Sequence, residues 1–527
     1  MGLKRLPVNK CDFKTIQEGN YLYIDKTKQI YDFLQTGEAF FLSRPRRFGK
    51  SLLVSTLNEL FANNKELFKD TWIYNSDWKW QKHTIIRLDF SHKAFDSKAS
   101  FEANFMLTLD TIAQENNFSL KEIPFLGTKC EMLIKTLAAK SPVVLLVDEY
   151  DSALLKNLED PKIAKQIQTV MHIFYSAVKA YNHLLAYIFI TGITRFSKMS
   201  LFSSMNNLTD LTFNPLCADL CGYTQTELEK NYSDYFQLLT QKKQWSLPFL
   251  YQQIKHWYNG YRFSENPINV YNPFSVVNLC QHLAFSNYWY DSGCPSYLAN
   301  LLRKHYFETQ GIENIYYDIF YLKNGINDDN NINFIPLLLQ AGYLTITDYR
   351  EKTNEFKLDY PNFENKQALN RLILDLYVHQ TELVVIQTVN RLREALLTLN
   401  FENFFILFTN LIASIPYMNR EKSEKYYSSI FHIVLNLLEL MPFSEVNTHT
   451  GRIDTVVQLD NFIFIFEYKF NETPKKALQQ IETKKYYEGF LNSKKEIVCI
   501  GISFNYIEKK LKTNTGPTFN IEWEVKK

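Results

Sequence analysis

Glycine and proline are scarce, 16 of each among 527 residues. That excludes collagen-like and Gly/Pro-rich low-complexity chains. Cysteine is scarce as well: seven residues, scattered along the chain. An odd, dispersed set argues against a disulfide framework and for a reducing compartment. Only Cys217 and Cys221 lie close together. No second Cys or His pair stands beside them, and no HExxH occurs among the ten histidines, so a structural zinc site is not expected. Charge of one sign is lacking too. The net charge is +2, which gives no global field to draw a polyanion, and any basic surface must be local. Long hydrophobic runs are missing: runs such as Val143–Val147 and Phe462–Phe466 are strand-length, against the ~20 residues of a membrane span. The opening MGLKRLPVNK has no apolar signal-peptide core, and Leu6 stands where a myristoylation pattern needs Ser or Thr. The expectation is a soluble, cytoplasmic chain with no membrane partner.

The chain does have apolar material, 46% against 22% charged, enough for sizeable cores. At roughly 150 residues per domain it should hold three or four domains. No internal repeat is visible. The first ~215 residues alternate strands and helices. Ala39–Ser43 is a short apolar run before a helix-like stretch, Leu52–Phe61. Thr84–Phe90, Pro142–Val147 and Leu185–Thr191 also read as strands. Pro142–Val147 shows no alternation, the pattern of a parallel strand buried on both faces, and strands alternating with helices predict a helix-covered parallel sheet. From about Gly222 to Tyr427 the chain reads as mainly helical, with aromatic-rich turns such as Asn259-Gly260 and a polar loop at Gly325–Asn333. After Glu421 come a helix, a hairpin, a Lys-rich helix and a strand near Ile497–Ile502: a compact α/β unit.

Ser43–Ser51 reads SRPRRFGKS. Gly49 lets the backbone bend close to phosphate, and N–H groups at a helix start bind anionic oxygens. Lys50 would neutralise the β/γ-phosphates and the Ser51 hydroxyl would ligate Mg²⁺. The first glycine of GxxxxGK is replaced by Arg44. Taken alone, the string could be a basic turn capping a helix. About 98 residues on, the buried run Val143–Val147 ends in Asp148-Glu149. An Asp ending a central strand next to the P-loop can hold Mg²⁺ through water, and the Glu can polarise the attacking water. A third strand ends in Thr191, able to sense a γ-phosphate. Arg195 could act on phosphate, although an ion pair suits it better. Arg46 and Arg47 could contact phosphate or a neighbouring subunit, with ion pairing the plain alternative, and self-association is left open.

The strings RPRRFGKSLL, LLVDEYD, ITGITRFSKMSLFS with NNL, HWYNGYRF, YNPFS and LLLQAGYLTI together resemble the AAA-ATPase-like family. In that family the RPRRFGKS loop is usual, so Arg44 departs from the general pattern and not from the family. Ser152-Ala153 stands where a Pro often follows the DEYD segment. The resemblance covers most of the chain and implies an ATPase core with a helical lid.

Gly451–Lys469 reads GRIDTVVQLDNFIFIFEYK. Two β-prone runs flank Asp460-Asn461, and a two-residue turn is the simplest connection. That turn places Asp454 opposite Glu467, each six residues out, with Lys469 on the same face. Opposed carboxylates are destabilising unless neutralised, and a divalent metal on hard oxygen ligands does so. Such a metal activates water, while Lys469 can orient that water or steady transition-state charge. A solvated hairpin face is the bland alternative. Arg452 and Asp454 open one strand, and Glu467 and Lys469 close the most apolar one. The pattern resembles the PD-(D/E)XK nuclease superfamily, Asp454 matching its first acid and Glu467-Tyr468-Lys469 its ExK, with Ile453 where a Pro is common. Ala477–Ile481 with Tyr486 is similar to the helix glutamine motif of one branch, which implies that Gln480 supports the site. Glu424 or Glu439 could add an upstream acid, neither compellingly. His432 reads as a packed histidine. Lys475–Lys512 holds nine Lys and four Glu, a surplus that suits a phosphate backbone if it is not merely a solvated face. In His256–Tyr261 a packed turn is favoured over a base-stacking platform.

The reading is an α/β chain in four parts: a P-loop NTPase-type parallel sheet with helices on both faces (1–215), a helical lid (216–300), a mainly helical connecting region (301–420) and an α/β restriction-endonuclease-like domain (421–527). The expected activities are ATP hydrolysis and Mg²⁺-dependent cleavage of DNA, with Mn²⁺ possible at the nuclease site. The alternatives are an ATP-switched DNA-binding or regulatory protein that does not cut, and a nuclease whose P-loop fold only scaffolds.

Overall fold

The computed structural model describes residues 3–91, 97–195, 205, 207–292, 298–299, 301–302, 315–323, 333–377, 382–413, 415, 423–438, 440, 443–448, 451–507 and 518–527. Residues 196–203 of the ITGITRFSKMSLFS string, 325–332 of the polar loop, Glu439 and residues 508–512 of the Lys-rich stretch lie outside them. Contacts divide the chain into two units, Met1–Tyr297 with Asn314–Asn365, and Leu298–Glu313 with Lys366–Lys527.

In the first unit β1 (Ala39–Ser43), β2 (Thr84–Asp89), β3 (Val143–Asp148), β4 (Leu185–Gly192) and β5 (Thr209–Asp210) form one parallel sheet in the order β2-β3-β4-β1-β5. All six residues of β3 are buried, which explains its unbroken apolar run. Val144 and Leu146 pack with Leu53, Val54 and Leu57 of the helix Lys50–Phe61. On the other face Ile86 and Leu145 meet Leu109, Leu133, Ile134 and Phe174 of three further helices. Helices thus cover both faces. In the sheet order β4 stands between β1, which leads into the P-loop, and β3, which ends in Asp148.

The lid region forms helices Gln225–Asn231, Ser233–Lys243, Leu247–Tyr258 and Pro273–His282 around Tyr232, Phe236, Leu250, Ile254 and Tyr258. Ser246 and Asn272 cap two of them, each with a proline in the first turn. The HWYNGYRF string is a packed turn: Tyr258 and Tyr261 are buried, and Gly260, at φ +101°, has no room for a Cβ against the Pro361 carbonyl. The connecting region contains a sheet the sequence reading lacked. β6 (Ile315–Asp318), β7 (Thr345–Arg350) and β8 (Glu355–Asp359) pair antiparallel in the order β6-β8-β7, and group with the first unit. Their charged, half-exposed residues blur the apolar alternation that marks a strand.

In the second unit β9 (Phe443–Asn447), β10 (Arg452–Gln458), β11 (Phe462–Phe470), β12 (Glu496–Ile507) and β13 (Thr518–Lys526) form a mixed sheet, order β13-β12-β11-β10-β9. Only β11 and β12 are parallel, joined through the helix Pro474–Thr483. One face of β11 puts Phe466 and Tyr468 against Phe431 of the helix Glu424–Leu437, and the other puts Ile463 and Ile465 against Leu478 and Ile481. Burial on both faces accounts for FIFIF. Among the described residues no helix is long and apolar enough to cross a membrane.

Candidate active sites

β1 delivers the chain to Ser43, and the helix begins at Lys50 after Gly49, which adopts φ +87°. Nothing lies within 4 Å of where a Gly49 Cβ would sit, so the turn stays open to a ligand. Lys50 is buried and folds back on its own loop, donating to the carbonyls of Arg44 and Pro45 at 2.9 Å each. Burial depresses its pKa, opposed by the carboxylates of Glu149, Asp148 and Asp151. The helix packs on β3 and brings the Ser51 hydroxyl to Asp148, so the hydroxyl and the acid meet although their strands are not neighbours. Burial pushes Asp148 up to about 6, against the lowering pull of Ser51 and Lys50. Its Oδ1 accepts from the Glu149 amide at 3.0 Å. Glu149 turns the chain out of the strand at φ +48°, a left-handed conformation costly for a side-chain-bearing residue.

Arg44, Thr191 and Arg195 spend their side-chain groups on partners within the protein, whereas Arg46 is half-buried and Arg47 exposed. Arg44, in the first-glycine position, is buried: it donates to the carbonyls of Ser43, Thr212 and Cys217. Thr191 donates its hydroxyl to the Leu42 carbonyl at 2.8 Å, tying β4 to β1 where a phosphate sensor was expected. Arg195 pairs with Asp210 at 2.8 Å, the ion pair foreseen as its plain role. Arg46 accepts at its carbonyl from Trp289 Nε1, and Arg47 (φ +66°) stacks its guanidinium over Phe274. Asp151 was missed. Buried, its Oδ2 accepts from the amides of Ile193 and Thr194 and from the Thr194 hydroxyl, fixing the turn after β4. Its signal was the second aspartate of DEYD.

The hairpin has the expected register. Thr455 pairs with Phe466 and Gln458 with Ile463, and Leu459 donates to Phe462 across the Asp460-Asn461 turn. One step beyond the Thr455–Phe466 pair stand Asp454 and Glu467. Asp454 Oδ2 accepts from the Tyr468 amide at 2.8 Å. Glu467 is 1% exposed; Gln480 Nε2 donates to its Oε1, and Lys469 Nζ lies 3.6 Å from the same oxygen. Gln480 reaches it because β12 offers Gly501 opposite Glu467, where a Cβ would come 2.4 Å from the Pro474 carbonyl. Burial drives the Glu467 pKa far above the usual carboxylate range. Asp454 adds to the rise and Lys469 opposes it. Glu467 Oε2 is buried with no hydrogen-bond partner.

That orphaned oxygen beside a second carboxylate fits a hard divalent cation that keeps several waters. Among the described residues no group of three or more His, Cys, Asp or Glu converges as a metal cage, so the protein offers carboxylates and leaves positions open. Glu424 opens the helix Glu424–Leu437; burial raises its pKa, with Lys469 opposing the rise and Asp454 adding to it. Of the two upstream acids the sequence offered, Glu439 lies outside the described residues. His432 is packed and neutral, its pKa pushed down to about 3 by burial. The Lys-rich face is partly self-neutralised, through Lys476–Glu472, Lys485–Glu488 and Lys526–Glu482.

Residues 7–202 match the family model described as predicted AAA-ATPase, and residues 422–514 that of the PD-(D/E)XK nuclease superfamily. A protein of Azotobacter chroococcum mcd 1, described as "Uncharacterized protein in vnfD 5'region", is 33% identical over 518 residues, covering 96% of this chain and 97% of its own length. With both models matching around the two sites and a relative aligned nearly end to end, the chain belongs to the AAA-ATPase-like family and carries a PD-(D/E)XK nuclease superfamily domain at its C-terminal end.

Proposed function

We propose that this chain binds and hydrolyses ATP at Gly49–Ser51, Asp148 and Glu149, and cleaves DNA phosphodiesters at Asp454, Glu467 and Lys469, with cleavage under ATP control. The observation that carries the nuclease reading is Glu467: a buried carboxylate with one unpartnered oxygen, set beside Asp454 and steadied by Gln480. Asp454 and Glu467 would hold Mg²⁺ or Mn²⁺, with Glu424 near enough to support them. The metal would supply an activated water and polarise the phosphodiester. Gln480 fixes one Glu467 oxygen so that the other faces the site. Lys469, 21% exposed at its side chain, can meet developing negative charge on the scissile phosphate. At the P-loop, Lys50 would exchange its carbonyl partners for phosphate oxygens, Ser51 and Asp148 would hold Mg²⁺, and Glu149 would orient the attacking water. We place this activity in the cytoplasm.

The test is incubation of the purified full chain with single-stranded, double-stranded and branched DNA, with and without Mg²⁺ and ATP. Cleavage that needs Mg²⁺ and changes with ATP is the expected result. DNA binding without cleavage of any substrate would replace this reading with that of an ATP-switched binding protein.

A further inference from the structure

The aromatic strings of the middle region take no part in either chemistry, yet they meet at the phosphate-binding loop. Five successive residues, Arg44 to Phe48, are each held from outside. The Arg44 guanidinium lies 4.2 Å from the Phe263 ring centre. Pro45 packs on Gly342 (φ +91°), where a Cβ would come 2.7 Å from the proline ring. The Arg46 carbonyl accepts from Trp289 Nε1 at 3.2 Å. Arg47 lies 4.7 Å over Phe274, and Phe48 sets its ring 4.6 Å from Tyr261.

Behind these contacts stand two adjacent side chains, Glu364 and Asn365, both 0% exposed. Glu364 Oε1 accepts from the Trp289 amide at 2.7 Å and its Oε2 from the Ser275 hydroxyl at 2.8 Å, next to Phe274. Asn365 donates to the Gly342 carbonyl at 2.9 Å and to the Tyr261 hydroxyl. Together they tie down the residues that touch Pro45, Arg46, Arg47 and Phe48. A buried carboxylate is costly to keep, whereas hydrogen bonds from buried polar groups to fixed partners select one arrangement. This loop needs such selection. It lacks the first glycine, and Arg47 sits at a positive φ that persists only where the surroundings over-determine it.

We propose that Glu364 is a positioning residue for the nucleotide site: acting through Trp289, and with Asn365 beside it, it holds the phosphate-binding loop in its receptive shape. The proposal rests on the ATP reading above.

The experiment uses the full chain, a fluorescent ATP analogue for affinity, steady-state ATP hydrolysis, and melting with near-ultraviolet circular dichroism for the fold. Trp289→Phe keeps a ring against Tyr343 and deletes only the donor to Arg46. It should weaken nucleotide binding roughly five- to tenfold and raise KM in step, with kcat within about twofold. Glu364→Ala should act in the same direction. The double variant should bind no worse than the weaker single one, because the two residues work through one contact. Glu364→Gln, whose amide oxygen still accepts from the Trp289 amide, should recover most of the affinity. If Glu364→Ala does not fold, Trp289→Phe decides. Wild-type affinity in Trp289→Phe, or additive losses in the double variant, overturns the proposal. Lys50→Ala separates the two readings. Binding lost in Lys50→Ala but intact in Trp289→Phe sinks the brace alone, and a wild type that binds no nucleotide sinks the ATP reading and the brace with it.

Discussion

The two sites treat buried charge in opposite ways. At the P-loop, Lys50 has two carbonyl partners within its own loop, and Asp148 is bonded by Ser51 and by the Glu149 amide. At the hairpin, Glu467 keeps a buried oxygen without a hydrogen bond and has a second acid as neighbour. A site satisfied from within must exchange bonds when its ligand arrives. A site left unsatisfied is stabilised by its ligand. The nucleotide should therefore change the loop's partners, and the metal should raise the stability of the nuclease domain.

The largest effect should come from Glu149→Gln. The amide cannot polarise water as a carboxylate does, so ATP hydrolysis should fall about 100-fold or more while binding of the fluorescent analogue persists. An equal loss of binding would break the separation of roles. Next is Lys50→Met. Nucleotide affinity should drop at least tenfold, to within an order of magnitude, because a charge-assisted contact to phosphate is lost. The ligand-free melting temperature should move by only a few degrees, since the lost carbonyl bonds are offset by removing a buried ammonium. A collapse of the ligand-free fold would show that Lys50 is structural.

At the hairpin, Mg²⁺ or Mn²⁺ should raise the wild-type melting temperature, and Asp454→Asn should abolish that rise. Without metal the variant should melt at or slightly above wild type. Its amide oxygen still accepts from the Tyr468 amide, and one of two like charges is gone. The smallest effect is the pH dependence of the metal-free protein. Asp148 and Glu467 both have folded pKa values above their ordinary 3.8 and 4.5. The folded state then holds more protons than the unfolded one, so each group subtracts stability as pH rises: Asp148 between about 4 and 6, Glu467 from about 4.5 upward. Denaturant melts at pH 5 and pH 8 should show a smaller loss on alkalinisation in Glu467→Gln than in wild type. An identical loss in both would remove Glu467 as a strained acid.

What the sequence revealed follows the range of the forces involved. β1, β3 and β4 and the hairpin register were legible because apolar runs and a two-residue turn are local signals. The cluster of Asp454, Glu467, Lys469 and Gln480 followed from that register and from a helix placed by its motif. Three-dimensional pairing was not legible. β4 slips between β1 and β3, β9 and β13 complete the second sheet, and Thr191 is consumed by a backbone carbonyl of its neighbour strand. β13 did leave a trace, the alternation of Phe519, Ile521, Trp523 and Val525. Glu364, more than 300 residues from the loop it braces, left none.

The most direct measurement is DNA cleavage by Asp454→Asn in Mg²⁺, run beside wild type, with ATP hydrolysis followed in the same preparations without DNA. The account predicts that cleavage is abolished while ATP hydrolysis persists. Cleavage at the wild-type rate would mean that Asp454 holds no metal, and the nuclease assignment would fail.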